Sequence, residues 1–293
     1  MIETGRLRGF KGHGTENDFV LVPDLDAELE LSDRLVRALC DRRAGLGGDG
    51  VLRVVRTAEV DEPVVRGQAE SAEFFMDYRN ADGSVAEMCG NGVRVFARYL
   101  HRAGLIGDQA VIATRGGRRA VQVHPDHVTV DMGRPRRRPE RPDVAGHLDN
   151  PAFDLPNPHV VIELAGSGEL DGLDLSTPPE VSPALPAGQN VEFFLRTGPR
   201  QVRMRVHERG VGETRSCGTG ICAVAVAAVG PGAWSGDSWE AAAVWPVGET
   251  WEVVVPGGTC TVGRTESGTL TLTGPAELVA EFELDEGWLA AHR

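Results

Sequence analysis

The chain has 293 residues, 41% hydrophobic and 25% charged, a balance that predicts a soluble globular protein of about two domains at roughly 100–200 residues each. No run approaches the roughly 18 apolar residues of a membrane span, and a formal net charge of −13 repels nucleic acid and anionic lipid. Nucleic acid and membrane are therefore excluded as partners, and a small molecule is the expected one.

The opening Met1-Ile2-Glu3-Thr4-Gly5 lacks a basic segment followed by an apolar core, which predicts no signal peptide and a cytoplasmic protein. Lys11 is the only lysine. A pyridoxal-phosphate enzyme forms its Schiff base on lysine, and Lys11, in Phe10-Lys11-Gly12-His13, is expected to end an N-terminal strand, so no such cofactor is predicted. Val20-Leu21-Val22 reads as the next strand. Ser32 is an expected N-cap, followed by one apolar stripe of Leu35, Val36, Leu39 and Cys40. Strands are expected over 51–55 and 74–78. A helix should follow Cys89, because Val93, Phe96, Ala97 and Leu100 fall on one face and Gly104 can end it.

Strands are expected again over 120–123 and 128–132. The basic, Pro-rich run Arg134 to Pro142 reads as a solvated connector at a domain boundary. The segments 159–164, 191–195 and 202–206 read as strands, the last by strict alternation. Residues Ile221 to Val229 are apolar all round and Gly230-Pro231 stops them, which predicts a helix buried on every side and threaded through a sheet or barrel. Strands over 251–255 and 270–273 complete the pattern.

The two buried helices have matching entrances, Cys89-Gly90-Asn91-Gly92 and Cys217-Gly218-Thr219-Gly220, 128 residues apart. This spacing, close to half the chain, predicts an internal duplication with one cysteine at a helix N-terminus in each half. A buried cysteine is most often a small hydrophobe, and Gly spacing alone is a common turn signal. The repeated context singles out Cys89 and Cys217, whereas Cys40, Cys222 and Cys260 carry no such signal. An odd count of five cysteines without a secretion signal predicts no disulfide scaffold. Cys217 and Cys222, five apart and without spaced histidines, predict no metal site.

A helix N-terminus presents unpaired N–H groups and a partial positive charge. It can bind a carboxylate and should stabilise a thiolate, lowering the cysteine pKa. Two such ends sharing one carboxylate would suit inversion at an α-carbon: one thiolate removes the α-proton, and the other thiol delivers a proton to the opposite face. Asn17, Asn80, Asn157 and Asn190 head or end predicted strands, and Glu208-Arg209 precedes the second cysteine. These suit an amino-acid site, although Asn at such points is more often a turn residue.

The strings Asn17-Asp18-Phe19, Asn80-Ala81-Asp82-Gly83-Ser84, Cys89-Gly90-Asn91-Gly92, Asn157-Pro158-His159, Glu208 to Thr214 and Cys217-Gly218-Thr219-Gly220 together resemble the diaminopimelate epimerase family, from about residue 6 to residue 284. The resemblance implies an α+β fold of two pseudo-symmetric domains, each a β-barrel-like sheet around a central helix, spanning 1–132 with 275–293 returning to it, and 133–274. The active site would lie between them. It also implies an isomerase that interconverts LL- and meso-diaminopimelate on the way to lysine and peptidoglycan, without cofactor or metal, as a homodimer. Carried over by position, Cys89 and Cys217 would be the acid/base pair. Gly90, Asn91, Gly218 and Thr219 would hold the reacting carboxylate. Asn17, Asn157 and Glu208 would line the reacting end, Asn80, Asn190 and Arg209 would read the distal end, and His159 would tune the thiols.

This chain departs from the family pattern in having Gly50 where Gln is usual, and Glu16 where Gly is usual. The tryptophan-rich stretch from Pro231 to Pro246 is unlike the family. A related racemase acting on another amino acid is the alternative enzyme. A non-catalytic amino-acid-binding protein or thiol redox sensor is the alternative of another class.

Overall fold

In the computed structural model, residues 7–236 and 238–293 are described. The opening Met1 to Gly5 therefore lies outside the described residues, as does Asp237 within the tryptophan-rich stretch. The chain divides into two compact units, Met1–Val130 with Pro275–Arg293, and Asp131–Gly274.

In the first unit, strand Arg8–Gly14 turns through Thr15 and Glu16, both at positive φ, into the antiparallel strand Asn17–Pro23. The helix Asp33–Cys40 then carries the chain over to Gly50–Arg56, which lies parallel to Asn17–Pro23. Ser32 caps that helix by accepting from the Leu35 N–H, and Leu35, Val36, Leu39 and Cys40 are its buried face. Strand Phe74–Asn80 returns antiparallel. The helix Gly90–Arg102 leads to Gln109–Ala113, parallel to it, and Arg119–Val123 and Val128–Gly133 follow as a meander. The helix Gly90–Arg102 packs against strands on several sides and is buried over most of its length. Its Arg94 is fully buried and is held by Thr15 Oγ1 and the Pro275 carbonyl, each at 3.2 Å.

The second unit repeats this plan. Strands Ala152–Leu155 and Asn157–Glu163 are antiparallel, and Asn190–Gly198 is parallel to the second of them. Gln201–Glu208 is antiparallel again. The helix Gly218–Val229 leads to Trp251–Val255, parallel to Gln201–Glu208, and Gly258–Arg264 and Leu270–Gly274 complete the meander. The helix Gly218–Val229 is built of Ala, Val, Ile and Cys after its glycines and is buried along almost its whole surface. Helices with no polar face need apolar neighbours all round, and here the strands supply them. Each cysteine helix thus stands at the same point in its unit, between the fourth strand and the parallel fifth. This is an α+β fold of two pseudo-symmetric, barrel-like sheets around central helices.

The structure adds detail to two segments. The basic run is extended and at least partly exposed over most of its length, and it is also tied down: Arg136–Arg137 pair as a short strand with Ala152–Leu155, Arg138 reaches Asp154 at 2.8 Å and Arg141 reaches Asp149 at 2.5 Å. These contacts tie the run to its own unit. The tryptophan-rich stretch is a small aromatic core. Trp245 is fully buried, Trp239 meets it edge-on at 6.4 Å, and Trp234 joins Trp239 at 5.0 Å and stacks on Phe153 at 5.8 Å. No helix among the described residues is long and apolar enough to cross a membrane.

Candidate active site

Cys89 ends an extended segment and becomes the N-cap of Gly90–Arg102, its sulfur accepting the Gly92 N–H at 3.4 Å. A Cβ at Gly92 would meet Leu52 at 3.3 Å, a tight contact with a flexible side-chain end, and Cys89 and Phe19 at 3.4 and 3.6 Å, ordinary packing. The turn after Arg8–Gly14 brings Asn17 to the same place. Asn17 Oδ1 lies 3.6 Å from Cys89 Sγ and accepts from Asn91 Nδ2 at 3.2 Å, while Asn17 Nδ2 donates to Asp49 Oδ2 at 2.7 Å. Asn17 and Asn91 are buried, and Cys89 is half-buried.

Asp49 belongs to a charged cluster behind this group. It accepts the Asp18 N–H at 3.2 Å and Arg42 Nη2 at 2.7 Å. Arg42 also grips both carboxylate oxygens of Asp18, at 2.7 and 3.0 Å, and Lys11 reaches Asp18 at 2.5 Å. Burial alone would raise the Asp18 carboxyl, but hydrogen bonds from Arg42 and Lys11 outweigh it and hold it well below the usual range. Asp49 goes the other way, raised by burial and then by the Asp18 charge.

Asn80 ends its strand opposite Gly50 and donates to Ser84 Oγ at 2.9 Å. A Cβ at Gly50 would fall 2.5 Å from the Arg79 carbonyl and 2.7 Å from the Tyr78 ring. Position 50, where the resemblance leads one to expect Gln, is closed to a side chain here by the Arg79 carbonyl and the Tyr78 ring.

In the second unit Cys217 is the N-cap of Gly218–Val229 and accepts the Gly220 N–H at 3.4 Å, the same geometry as Cys89. Thr219 Oγ1 lies 3.4 Å from its sulfur. Glu208 ends its strand at the hairpin to Gly212–Thr214, accepts from Thr214 Oγ1, and is hydrogen-bonded to Cys217. Burial raises the Glu208 carboxyl to about 7, against the opposing pull of those two hydrogen bonds. Cys217 corrects the expectation of a thiol acidified by its helix terminus. Burial, then the charges of Glu208 and Glu192, push it well above the ordinary thiol value, outweighing the Thr219 and Gly220 hydrogen bonds.

His159 Nδ1 and Glu192 Oε1 lie 2.7 Å apart in a fully buried pair. Among the described residues, His159 Nε2 and Glu192 Oε2 have no partner. Glu192 also lies against the first turn of the Cys217 helix, since a Cβ at Gly220 would fall 2.7 Å from Glu192 Oε1. Asn190 Oδ1 accepts the Arg209 N–H at 2.9 Å, and the Arg209 guanidinium donates to the Ala187 carbonyl. Asn157 opens its strand opposite Leu155.

The predicted residues thus form two clusters: Cys89 with Gly90, Asn91 and Asn17, and Cys217 with Gly218, Thr219 and Glu208. Asn190 and Arg209 are joined to each other. Asn80 and Asn157 sit at strand ends. Sequence reasoning missed Asp49 and Glu192. Glu192 left a signal, a lone acid in Val191-Glu192-Phe193-Phe194; Asp49, inside a glycine-rich loop, left none. Among the described residues, no three or more His, Cys, Asp or Glu are grouped to hold a metal.

A sequence profile of the diaminopimelate epimerase family matches residues 9–138 and 154–279. The diaminopimelate epimerase of Streptomyces coelicolor is 53% identical over 293 aligned positions, covering 97% of each chain. That of Thermobifida fusca is 52% identical, covering 95% of this chain and 98% of its own. Among solved structures, a probable proline racemase from Agrobacterium radiobacter superposes with TM-score 0.63 at 15% identity, over 95% of this chain and 93% of that one. A PhzF-family phenazine biosynthesis protein from Bacillus anthracis superposes with TM-score 0.64 at 15% identity, over 96% and 99%. These distant structures show the fold alone, but the profile runs through both cysteine entrances and the curated relatives match nearly end to end, so the chain belongs to the diaminopimelate epimerase family.

Proposed function

We infer that the chain is an isomerase that converts LL-diaminopimelate to meso-diaminopimelate by proton transfer through Cys89 and Cys217, a step towards lysine. The observation that carries this reading is the repeated cysteine cap: each sulfur accepts the N–H of the third residue beyond it at 3.4 Å, at the same point of each unit. The N–H groups and partial positive charge of such a helix end favour a carboxylate. Gly90, Asn91, Gly218 and Thr219 would supply those donors, and their hydrogen bonds would strengthen as carbanion charge develops at the reacting end.

The acid/base roles follow from the neighbours. Cys217 is held as a thiol, and Glu208, with its carboxyl near 7, is the group beside it that can take its proton. Cys217 then removes the α-proton, and Cys89 returns one to the opposite face. The His159–Glu192 pair sets the charge around Cys217. Asn17 and Asn157 are assigned to the reacting end, and Asn80, Asn190 and Arg209 to the distal end, where a planar guanidinium suits a carboxylate. The Asn190 hydrogen bond to the Arg209 backbone supports that last assignment. Work without pyridoxal phosphate is supported by Lys11, the sole lysine, which is engaged by Asp18 and the Gly47 carbonyl. Homodimer and cytoplasmic location belong to the same proposal, the first resting on the family resemblance and the second on the sequence expectation.

The test is incubation with LL-diaminopimelate in D₂O, followed by NMR and chiral analysis. Deuterium should enter at the α-carbon as the meso form appears. Cys89→Ala and Cys217→Ala should each lose more than about 10²-fold, the lower range for a positioned acid or base. No exchange in the native protein would reject the activity, and near-native turnover in either variant would reject the two-thiol mechanism.

A further inference from the structure

Asn17 is an amide, and an amide can face a neighbour with its carbonyl or its NH₂. Its orientation beside Cys89 decides which form of the sulfur it favours. A carbonyl oxygen can only accept, so it favours the S–H; an NH₂ can only donate, so it favours the thiolate. The choice is made on the far side of the amide. Asp49 is the acceptor there, 2.7 Å from Asn17 Nδ2, and both of its oxygens already take donors, so it presents an acceptor and not a hydrogen to the amide. Asp49 is itself pinned. The Asp18 N–H and Arg42 Nη2 donate to it, at 3.2 and 2.7 Å. Arg42 is in turn shared with Asp18, which Lys11 also holds.

We propose that Asp49 is a positioning residue that locks the Asn17 amide with its carbonyl, rather than its NH₂, towards the Cys89 thiol. Asn91 reinforces the lock, since its Nδ2 donates to the same carbonyl at 3.2 Å. In catalysis Asp49 keeps Cys89 loaded with the proton it must deliver. That consequence rests on the reading of Cys89 as a proton carrier, whereas the lock itself is read on the thiol and does not need turnover.

The experiment follows the pH dependence of Cys89 alkylation by iodoacetamide, with the labelled peptide identified by mass spectrometry, in a Cys217→Ala background. Asp49→Asn gives three donors only one amide oxygen. The Arg42 guanidinium should take that oxygen, the new NH₂ should face Asn17, and the Asn17 amide should turn over. The apparent Cys89 pKa should then fall by about one unit, a tenfold gain in thiolate below it. Removing the Asp49 charge would by itself act in the same direction, so the change is repeated with Asn17→Ala. If Asp49 acts through the amide, Asp49→Asn shifts Cys89 far less once the amide is gone. An equal shift with and without the Asn17 amide, or no shift at all, overturns the proposal. A second measurement needs no variant at position 49. In the native protein, NMR should show no cross-relaxation between the Asn17 NH₂ protons and the Cys89 β-protons, and observing it would overturn the lock.

Discussion

Glu208 shows how far a single side chain departs from its sequence reading. As half of an Glu208-Arg209 pair of opposite charge it could pass for a surface residue, yet its carboxyl is raised to about 7 by burial beside Cys217. The consequence for stability has a definite sign. Between the ordinary glutamate value of 4.5 and about 7, the folded chain keeps a proton that the unfolded chain releases. Stability from this group is therefore complete below 4.5 and is lost as pH rises through about 7. Glu208→Gln carries no such proton. Comparing thermal midpoints at pH 5 and pH 7.5, the native protein should fall relative to the variant at the higher pH. An unchanged difference would show that Glu208 titrates normally. The thiol side of this cluster departs from expectation for the same reason. The helix-terminus argument for an acidic Cys217 is correct about direction, but burial and two nearby carboxylates outweigh it, and neither is visible in a local string of residues.

The cysteine helices were legible as elements because their signals are local. Val93, Phe96, Ala97 and Leu100 mark a face, an apolar run without polar breaks marks Gly218–Val229, and Cys-Gly-x-Gly marks both starts. What surrounds each start was not legible. Gly92 and Gly220 are equivalent in sequence, but Gly220 faces the buried His159–Glu192 pair. A Cβ there falls 2.7, 3.2 and 3.3 Å from Oε1, Cγ and Cδ of Glu192, whose side chain is fully buried against His159. In an open helix, Gly→Ala would gain up to about 1 kcal/mol. Gly92→Ala, with its nearest contacts at 3.3 to 3.6 Å, should stay within a fraction of that. Gly220→Ala must displace Glu192 and should be destabilising by roughly 1–3 kcal/mol, as overpacked cores are. Urea unfolding of the two variants decides it, and equal stabilities would mean that Glu192 yields freely.

At the scale of the whole molecule, the repeat was readable from two cysteines 128 residues apart, and the strands with strong alternation fell where expected. Some strands without a clear sequence signal are hairpin partners of strands that had one, as Gly258–Arg264 is of Trp251–Val255; one pairs far away in sequence. Glu277–Glu283 is mostly exposed along its length, so it has weak apolar periodicity, yet it pairs with Arg8–Gly14 at the other end of the chain. Gly9 lacks a side chain at the point where the Phe282 ring would leave a Cβ only 2.5 Å away. Phe282, Leu284 and Trp288 then pack on the cluster of Leu7, Leu35 and Leu39, with Leu289 buried inside it, and the Pro275 carbonyl accepts from the buried Arg94. Ending the chain at Gly274 would remove all of these together. Strand Arg8–Gly14 would gain an unpaired edge, a known route to aggregation, and Arg94 would lose an acceptor that a buried guanidinium needs. Hydrogen exchange read by mass spectrometry should therefore show protection lost in residues 7–40 and 90–102, with strands 152–164 and 190–208 still protected. Equal loss in both sets, or none in the first, would show that the returning segment does not support the unit it packs on.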